Sequence, residues 1–248
     1  MPMEMPVQHT DAASDAPLCV AITGASGALG QALLRAWHRR GARLIALTSS
    51  TTPLEVRDAA GQSIPLRQLS WQVGAERELA PALAEVDVLV LNHGVNVHGQ
   101  RNAEATALSL EVNALSGWRL LELFGELNVD RPPFRRKAEV WVNTSEAEIE
   151  PAFSPLYEIS KRLMGQLLSL RALDLAPQLR IRRLVLGPFR SALNPVGLMG
   201  PEFVANQILV QAQLGLNLII VTPNPLVFVL MPLTTLGRWL YFRLLTRA

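Results

Sequence analysis

The chemistry in this 248-residue chain is most legible at Tyr157-Glu158-Ile159-Ser160-Lys161. A spacing of four sets Tyr157 and Lys161 on one face of a helix, about one turn apart. A tyrosine near its ordinary pKa of about 10 is a poor acid at neutral pH, but a neighbouring ammonium favours the phenolate and lowers that value. So tuned, Tyr157 could give a proton to a carbonyl oxygen as hydride arrives, or take one from an alcohol in reverse. Lys161 could also bond the ribose of a cofactor. The chain holds only two lysines, Lys137 and Lys161, which makes one at a motif position more noticeable. Taken alone the pair is as easily an exposed helix pair, so its context decides.

That context begins upstream with Thr23-Gly24-Ala25-Ser26-Gly27-Ala28-Leu29-Gly30, between an apolar strand and a helix. Glycines at 24, 27 and 30 permit a tight turn, close backbone approach to a pyrophosphate and close helix–strand packing, and the helix N-terminus offers N–H groups to phosphate. Gly24, Ser26, Gly27, Leu29 and Gly30 are the expected contacts to a dinucleotide. The second strand ends Ala46-Leu47-Thr48-Ser49-Ser50 without an acid to bond a ribose 2′-hydroxyl. Thr48 is therefore expected at the cofactor, with NADP(H) favoured over NAD(H), and Arg39, Arg40 and Arg57 are the guanidiniums that could reach a 2′-phosphate.

These residues need a framework that brings chain segments far apart in sequence to one edge. Strands are expected at 18–23, 43–47, 86–91, 139–142, 181–186 and 218–221, with a weaker one near 64–69. Helices are expected at 29–40, 76–83, 103–126, 155–175 and 201–214, with Gly41 stopping the first. Continuous apolar strands alternating with helices call for a parallel sheet covered on both faces. The expectation is an α/β Rossmann fold, a doubly wound parallel sheet of about seven strands binding its ligand beyond their carboxyl ends. It comprises a lead-in at 1–16, one dinucleotide-binding and catalytic domain at 17–222, and an apolar extension at 223–248.

Composition narrows the partners. Half the residues are apolar and the net charge is +2, so a sizeable core is available and nucleic acid is not an expected partner. Cys19 is the single cysteine, inside an apolar run, which excludes an internal disulfide and a cysteine-based metal site. No metal is expected. The first residues lack a basic start followed by an apolar block, so no secretory signal is expected and the cytoplasm is the default location.

Together the glycine turn, Asn143-Thr144-Ser145, Tyr157 and Lys161 resemble the short-chain dehydrogenases/reductases, over residues 18 to about 221. The glycine spacing is nearer the family's extended and atypical branches. The resemblance implies that a serine orients the substrate oxygen. Ser145 is the candidate, at a separation one residue shorter than usual, with Thr144 or a shifted Glu146 as alternatives. It implies that Asn92-His93-Gly94 stands for the family's Asn-Asn-Ala-Gly, with Asn92 and Gly94 lining the cofactor cleft and His93 filling space. Asn113 would support a water-linked proton relay to Lys161. After the sixth strand, Leu186 replaces the usual proline, while Gly187 and Ser191 keep a glycine and a hydroxyl for the nicotinamide. Gln72 stands where an acid beside the adenine is usual.

From Phe203 onward there is no Asp or Glu, and residues 226–245 are dense in large apolar side chains. Pro223, Pro225 and Pro232 break the run below the roughly 20 residues a spanning helix needs. Three expectations follow for the tail: a lid, an oligomer interface, or a peripheral membrane contact. The leading expectation is an NADP(H)-preferring oxidoreductase interconverting a carbonyl and an alcohol on a hydrophobic small molecule, assembled as a homo-oligomer, with Tyr157 as acid/base. The rivals are a non-catalytic cofactor sensor or scaffold, and an epimerase or dehydratase that retains its cofactor.

Overall fold

The computed structural model describes residues 16–246; the expected lead-in at 1–16 falls outside them except for its last residue. Seven strands form one parallel sheet: β1 (Cys19–Thr23), β2 (Arg43–Thr48), β3 (Arg67–Ser70), β4 (Val88–Leu91), β5 (Ala138–Ser145), β6 (Leu179–Leu186) and β7 (Leu218–Val221), in the order β3-β2-β1-β4-β5-β6-β7. The order reverses between β1 and β4, the switch point where such sheets open a ligand crevice. β1 and β4 are buried throughout, which explains their uninterrupted apolar sequence. β3, reading Arg-Gln-Leu-Ser, is short and half-exposed, as suits an edge.

Alternate side chains of the sheet feed two cores. Val20, Ile22, Val88 and Val90 pack with α1 (Ala28–His38) and α6 (Pro201–Gln213) around Leu33, Trp37 and Ile208. Cys19, Ala21, Leu89 and Leu91 pack on the other face, around Leu120, Phe124, Met164 and Leu168. The helices there are α4 (Ser116–Leu127) and α5 (Pro155–Leu175). Between β3 and β4 the expected helix at 76–83 reduces to a 3-10 turn and a single helical turn, α2 (Ala80–Leu83). The expected helix at 103–126 is α3 (Ala103–Leu110) joined to α4 by a π-helical turn, Glu111–Leu115, which carries Asn113. β5 runs to Ser145, three residues past its expected end, because all eight of its residues pair with β6.

The tail is the main departure. Residues Val227–Leu245 form a helix, α7, in spite of Pro232. It packs against α5 and buries only Val227 and Met231 fully, leaving Phe228, Leu233, Leu240 and Leu244 among its exposed side chains. Among the described residues no helix is long and apolar enough to cross a membrane. What holds α7 is ionic. Arg238 Nη1 donates to Glu148 Oε2 at 2.8 Å, and Arg183 Nη1 donates to the same oxygen at 2.7 Å. Arg183 also reaches the Gly165 carbonyl and Ser169 Oγ. Glu148 is fully buried, and a Cβ at Gly165 would meet its Oε2 at 1.8 Å, so a glycine in mid-helix is what admits the carboxylate.

Removing the charge of Glu148 would strand two guanidiniums in a buried place. Glu148→Gln is expected to cost about 3–5 kcal/mol in urea unfolding. Arg238→Met should cost less, because the Arg183–Glu148 pair survives, yet it should raise hydrogen exchange selectively along 227–245. Uniform exchange in that variant would show that the triad does not anchor α7.

Candidate active site

A cavity of about 1130 Å³ lies at the carboxyl ends of the strands, and the glycine turn, Asn92, Ser145, Tyr157, Lys161 and Ser191 all line it. Its glycine end is built by close approach. Gly24 has φ of +61°, and a Cβ there would come within 2.9 Å of the His93 backbone. A Cβ on Gly30 would sit 2.3 Å from the Gly24 carbonyl oxygen, so this glycine serves packing and does not itself line the cavity. Ser26, Gly27, Ala28 and Leu29 do line it, and α1 begins there at Ala28, after Gly27, with no side chain capping its first N–H groups. Uncapped N–H groups at a helix start fit a phosphate.

Thr23 ties the two strands of the switch point together. Its Oγ1 donates to the Val90 carbonyl and accepts from the Asn92 and His93 backbone N–H groups, at 2.8 and 3.2 Å. His93 Nδ1 is 2.8 Å from the same oxygen, and its ring meets Trp71 edge-on at 5.3 Å between centroids. Burial first, and then the charge of Lys161, pull the His93 pKa down to about 4, so the ring is neutral at physiological pH. Asn92 Oδ1 accepts from Asn143 Nδ2 at 2.9 Å, which links the ends of β4 and β5 beneath the cavity.

The opposite wall holds the hydroxyl groups. Tyr157 enters from the first turn of α5, which Pro155 opens in the position where a missing N–H is harmless. Ser145 stands at the end of β5, its Oγ accepting from the Ala147 N–H at 3.2 Å and donating to the Leu186 carbonyl at 3.4 Å. Thr144, the alternative, is buried with its hydroxyl on the Leu184 carbonyl. Lys161 Nζ donates to the Asn143 carbonyl at 3.0 Å and lies 5.6 Å from the centre of the Tyr157 ring.

The electrostatics run against the sequence expectation. Burial raises the Tyr157 pKa; the Ser145 hydroxyl opposes this and the Glu146 charge adds to it. Lys161 itself is pulled down to about 8 by burial, against the charge of Glu148. Desolvation therefore dominates at both groups, which share one dry wall.

Four other expected features take the following places. Thr48 is buried, its hydroxyl donating to the Ser50 carbonyl at 2.8 Å, and the cavity is lined by its neighbour Ser49. Arg39 bonds Asn206, Arg40 bonds the Ala36 carbonyl and Arg57 pairs with Glu55, and none of the three lines the cavity. Asn113 makes no direct bond to Lys161, and the expected water-linked relay requires none. Its Oδ1 and Nδ2 clamp the Val95 N–H and carbonyl, and its Nδ2 also reaches Ser160 Oγ. A void of about 10 Å³, room for about one water, lies among Asn113, His93, Asn143 and Lys161. No residue of α7 lines the cavity.

Gln72 lines the cavity with its Nε2 on the Ser49 carbonyl; Gly94 and Gly187 line it too, the latter packed so that a Cβ would meet Thr222 Oγ1 at 2.4 Å. Glu146 turns into the cavity, and Thr222 Oγ1 donates to its Oε2 at 2.6 Å. Burial and the nearby Glu150 raise its pKa, against that hydrogen bond. Sequence reasoning missed Thr23, Ser49 and Thr222. Thr23 was signalled by its place ending β1 and Ser49 by its place beside Thr48 after β2; Thr222 carries no local signal.

The sheet order, the glycine turn at its switch point and the tyrosine–lysine wall define a nicotinamide-dinucleotide enzyme of the short-chain dehydrogenase/reductase and epimerase superfamily. Residues 20–168 match the NAD dependent epimerase/dehydratase family, and the chain belongs to it. A monoglucosyldiacylglycerol epimerase from Synechocystis sp. is 47% identical over 228 residues, 92% of this chain and 55% of that protein. The chain thus spans about half the length of this curated relative. Among solved structures, a short-chain dehydrogenase from Sphingobium yanoikuyae in complex with NADPH superposes with a TM-score of 0.74 at 19% identity, over 89% of this chain and 93% of that one. One from Burkholderia cenocepacia in complex with NADP gives 0.73 at 18%, over 93% and 98%. These two likenesses establish the fold.

The Lys161 shift has a signed consequence for stability. Below about pH 8 the lysine is protonated in both folded and unfolded chains, and its burial penalty is constant. Between about 8 and the ordinary 10.5, the unfolded chain binds more protons, so this group makes stability rise with pH. The difference in urea midpoint between the protein and Lys161→Met should therefore shift in the protein's favour across that window. Parallel profiles would place the lysine in water.

Proposed function

We propose that this chain is an NAD(P)-dependent epimerase acting on the sugar headgroup of a glycolipid. The observation that carries the reading is one cavity in which the glycine turn faces Ser145, Tyr157 and Lys161, with the carboxylate of Glu146 added to the wall. Support comes from the family match and from the relative whose printed substrate is monoglucosyldiacylglycerol.

In this reading the first turn of α1, Gly24 and Gly27 hold the pyrophosphate, Ser49 and Gln72 lie toward the adenosine, and Lys161 and Ser191 lie toward the nicotinamide. A bound nicotinamide supplies the acceptance and return of hydride. The residues of the chain manage the proton. Ser145 Oγ holds the sugar hydroxyl oxygen, and Tyr157 takes its proton as the C–H bond is broken. The resulting ketone is presented on its other face, and Tyr157 returns the proton as hydride comes back, so the carbon is inverted and no cofactor is consumed. A desolvated Tyr157 with a raised pKa is a strong base once ionised, and the Ser145 hydroxyl beside it favours that state. Glu146, fixed by Thr222, accepts from vicinal hydroxyls of the sugar, a contact that a simple ketone cannot offer. The absence of an acid after β2 leaves room for a 2′-phosphate at Ser49, so NADP(H) remains the preferred cofactor in this proposal, recognised by hydroxyl and backbone donors.

Purified protein with catalytic NADP(H) is expected to convert monoglucosyldiacylglycerol to a sugar epimer without net change in nicotinamide absorbance. Tyr157→Phe should lower turnover at least a hundredfold while nearly preserving cofactor affinity, read by nicotinamide fluorescence. Stoichiometric reduction of the cofactor would instead identify a net dehydrogenase, and binding without any turnover would identify a sensor. Glu146→Gln should raise KM for the glycolipid about tenfold, the loss of a charge-assisted hydrogen bond of about 1.5 kcal/mol. An unchanged KM would remove Glu146 from headgroup recognition.

A further inference from the structure

The mouth of the cavity is apolar in a way that its interior is not. Four large apolar side chains line the cavity and are also open to solvent: Leu108 on α3 at 46%, Phe153 in the loop before α5 at 108%, and Leu193 and Val196 in the loop after β6 at 39% and 86%. Deeper in, the wall offers Asn143, Ser145, Glu146 and Tyr157. An exposed cluster of this kind, rimming a cleft and contributed by separate segments, marks an interaction surface. Of the segments at the mouth, 93–103 and 187–201 contain no Asp or Glu and carry Arg101 and Arg190, whereas Glu104 lies on the helix of Leu108 and Glu150 in the loop of Phe153.

We propose that this rim docks on the surface of a lipid bilayer, so that a glycolipid headgroup enters the cavity while its acyl chains stay in the membrane. The choice of occupant rests on the glycolipid reading above and on size. A cleft of about 1130 Å³ is near the upper end of ligand cavities, roughly 300–1,000 Å³, and in the epimerase reading it must hold both a dinucleotide and a hexose. Two long acyl chains have no further room inside. Drawing them into water is opposed at every methylene, so they remain in hydrocarbon and the mouth must come to them. Phe153 and Val196, the most exposed of the four, would enter the acyl-chain boundary, and Arg101 and Arg190, exposed in the mouth segments, would meet anionic lipid at headgroup level. The exposed face of α7 is a separate surface, since none of its residues lines the cavity.

The chain's single cysteine, Cys19, is buried and its pKa is raised by that burial, so an introduced cysteine takes a label selectively. Val196→Cys carrying an environment-sensitive fluorophore is mixed with phosphatidylcholine vesicles, with and without phosphatidylglycerol. Labels at Ala176→Cys, beyond the opposite end of the sheet, and at Leu240→Cys on α7 serve as references. The expected result is a blue shift at 196, stronger with anionic vesicles and weakened by salt, with no shift at 176 and a smaller one at 240. Phe153→Ser with Val196→Ser should weaken vesicle association roughly tenfold or more. No association, or a shift at 240 without one at 196, overturns the docking; the second outcome assigns the membrane to α7. A shift at 196 that depends on protein concentration without vesicles also overturns it, because a second copy then covers the rim. The vesicles hold no glycolipid, which separates this proposal from the enzymatic one. Turnover of detergent-dispersed glycolipid without vesicle association removes the docking alone, and association at 196 without turnover removes the epimerase alone.

Discussion

The site depends on one hydroxyl. Thr23 ends β1 at the point where the sheet reverses order, and its Oγ1 binds the Val90 carbonyl and the backbone N–H groups of Asn92 and His93. Parallel strands end with N–H and C=O groups that have no further ladder partner, and buried groups of that kind are costly unless paired. A single side chain satisfies them at the moment β1 and β4 part company. The crevice can then open between the glycine turn and the end of β4 without leaving orphaned backbone at its floor. His93 Nδ1 shares the same hydroxyl oxygen, and the ring packs edge-on against Trp71. The histidine is part of this floor, and its low pKa keeps a second positive charge away from Lys161.

Burial is the theme of the reactive wall. Tyr157 and Lys161 lie close, but both are desolvated, and desolvation pushes each toward its neutral form. An ammonium that stands over the ring and bonds the Asn143 carbonyl does less for the phenolate than one paired with the oxygen itself. Ser145 supplies the opposing influence on Tyr157, and Glu146 adds negative charge next to it. The wall is therefore polar and dry, facing a mouth lined by Leu108, Phe153, Leu193 and Val196. A cavity with that gradient suits a ligand that is itself polar at one end and apolar at the other.

The tail is held by a different physics. α7 presents most of its large side chains to solvent, so burial alone gives it little purchase. The Arg238–Glu148–Arg183 triad fixes its position instead, reaching through the gap that Gly165 leaves in α5. Such a triad is a weak source of stability and a good source of register, because a buried carboxylate with one satisfied oxygen accepts few other arrangements.

How much was legible in the sequence follows from how local each cause is. Strand β1, the turn at Gly24–Gly30 and helix α5 are dictated by apolar runs, glycine spacing and Pro155, all properties of adjacent residues, and the α/β parallel fold follows from their alternation. The pairing of Tyr157 with Lys161 needed only helical geometry. What the sequence could not decide was contact between distant segments. Asn113 clamps Val95 because a π-helical turn rotates it there, Thr48 turns inward toward Gln68, and the three candidate arginines find partners elsewhere. The sign of the Tyr157 shift was likewise out of reach, since it depends on how many neighbours exclude water, a quantity that exists only once the chain has closed around it. Patterns of one and a half turns were fixed by the amino acids themselves; burial, and with it the electrostatics of the site, was decided by the tertiary structure.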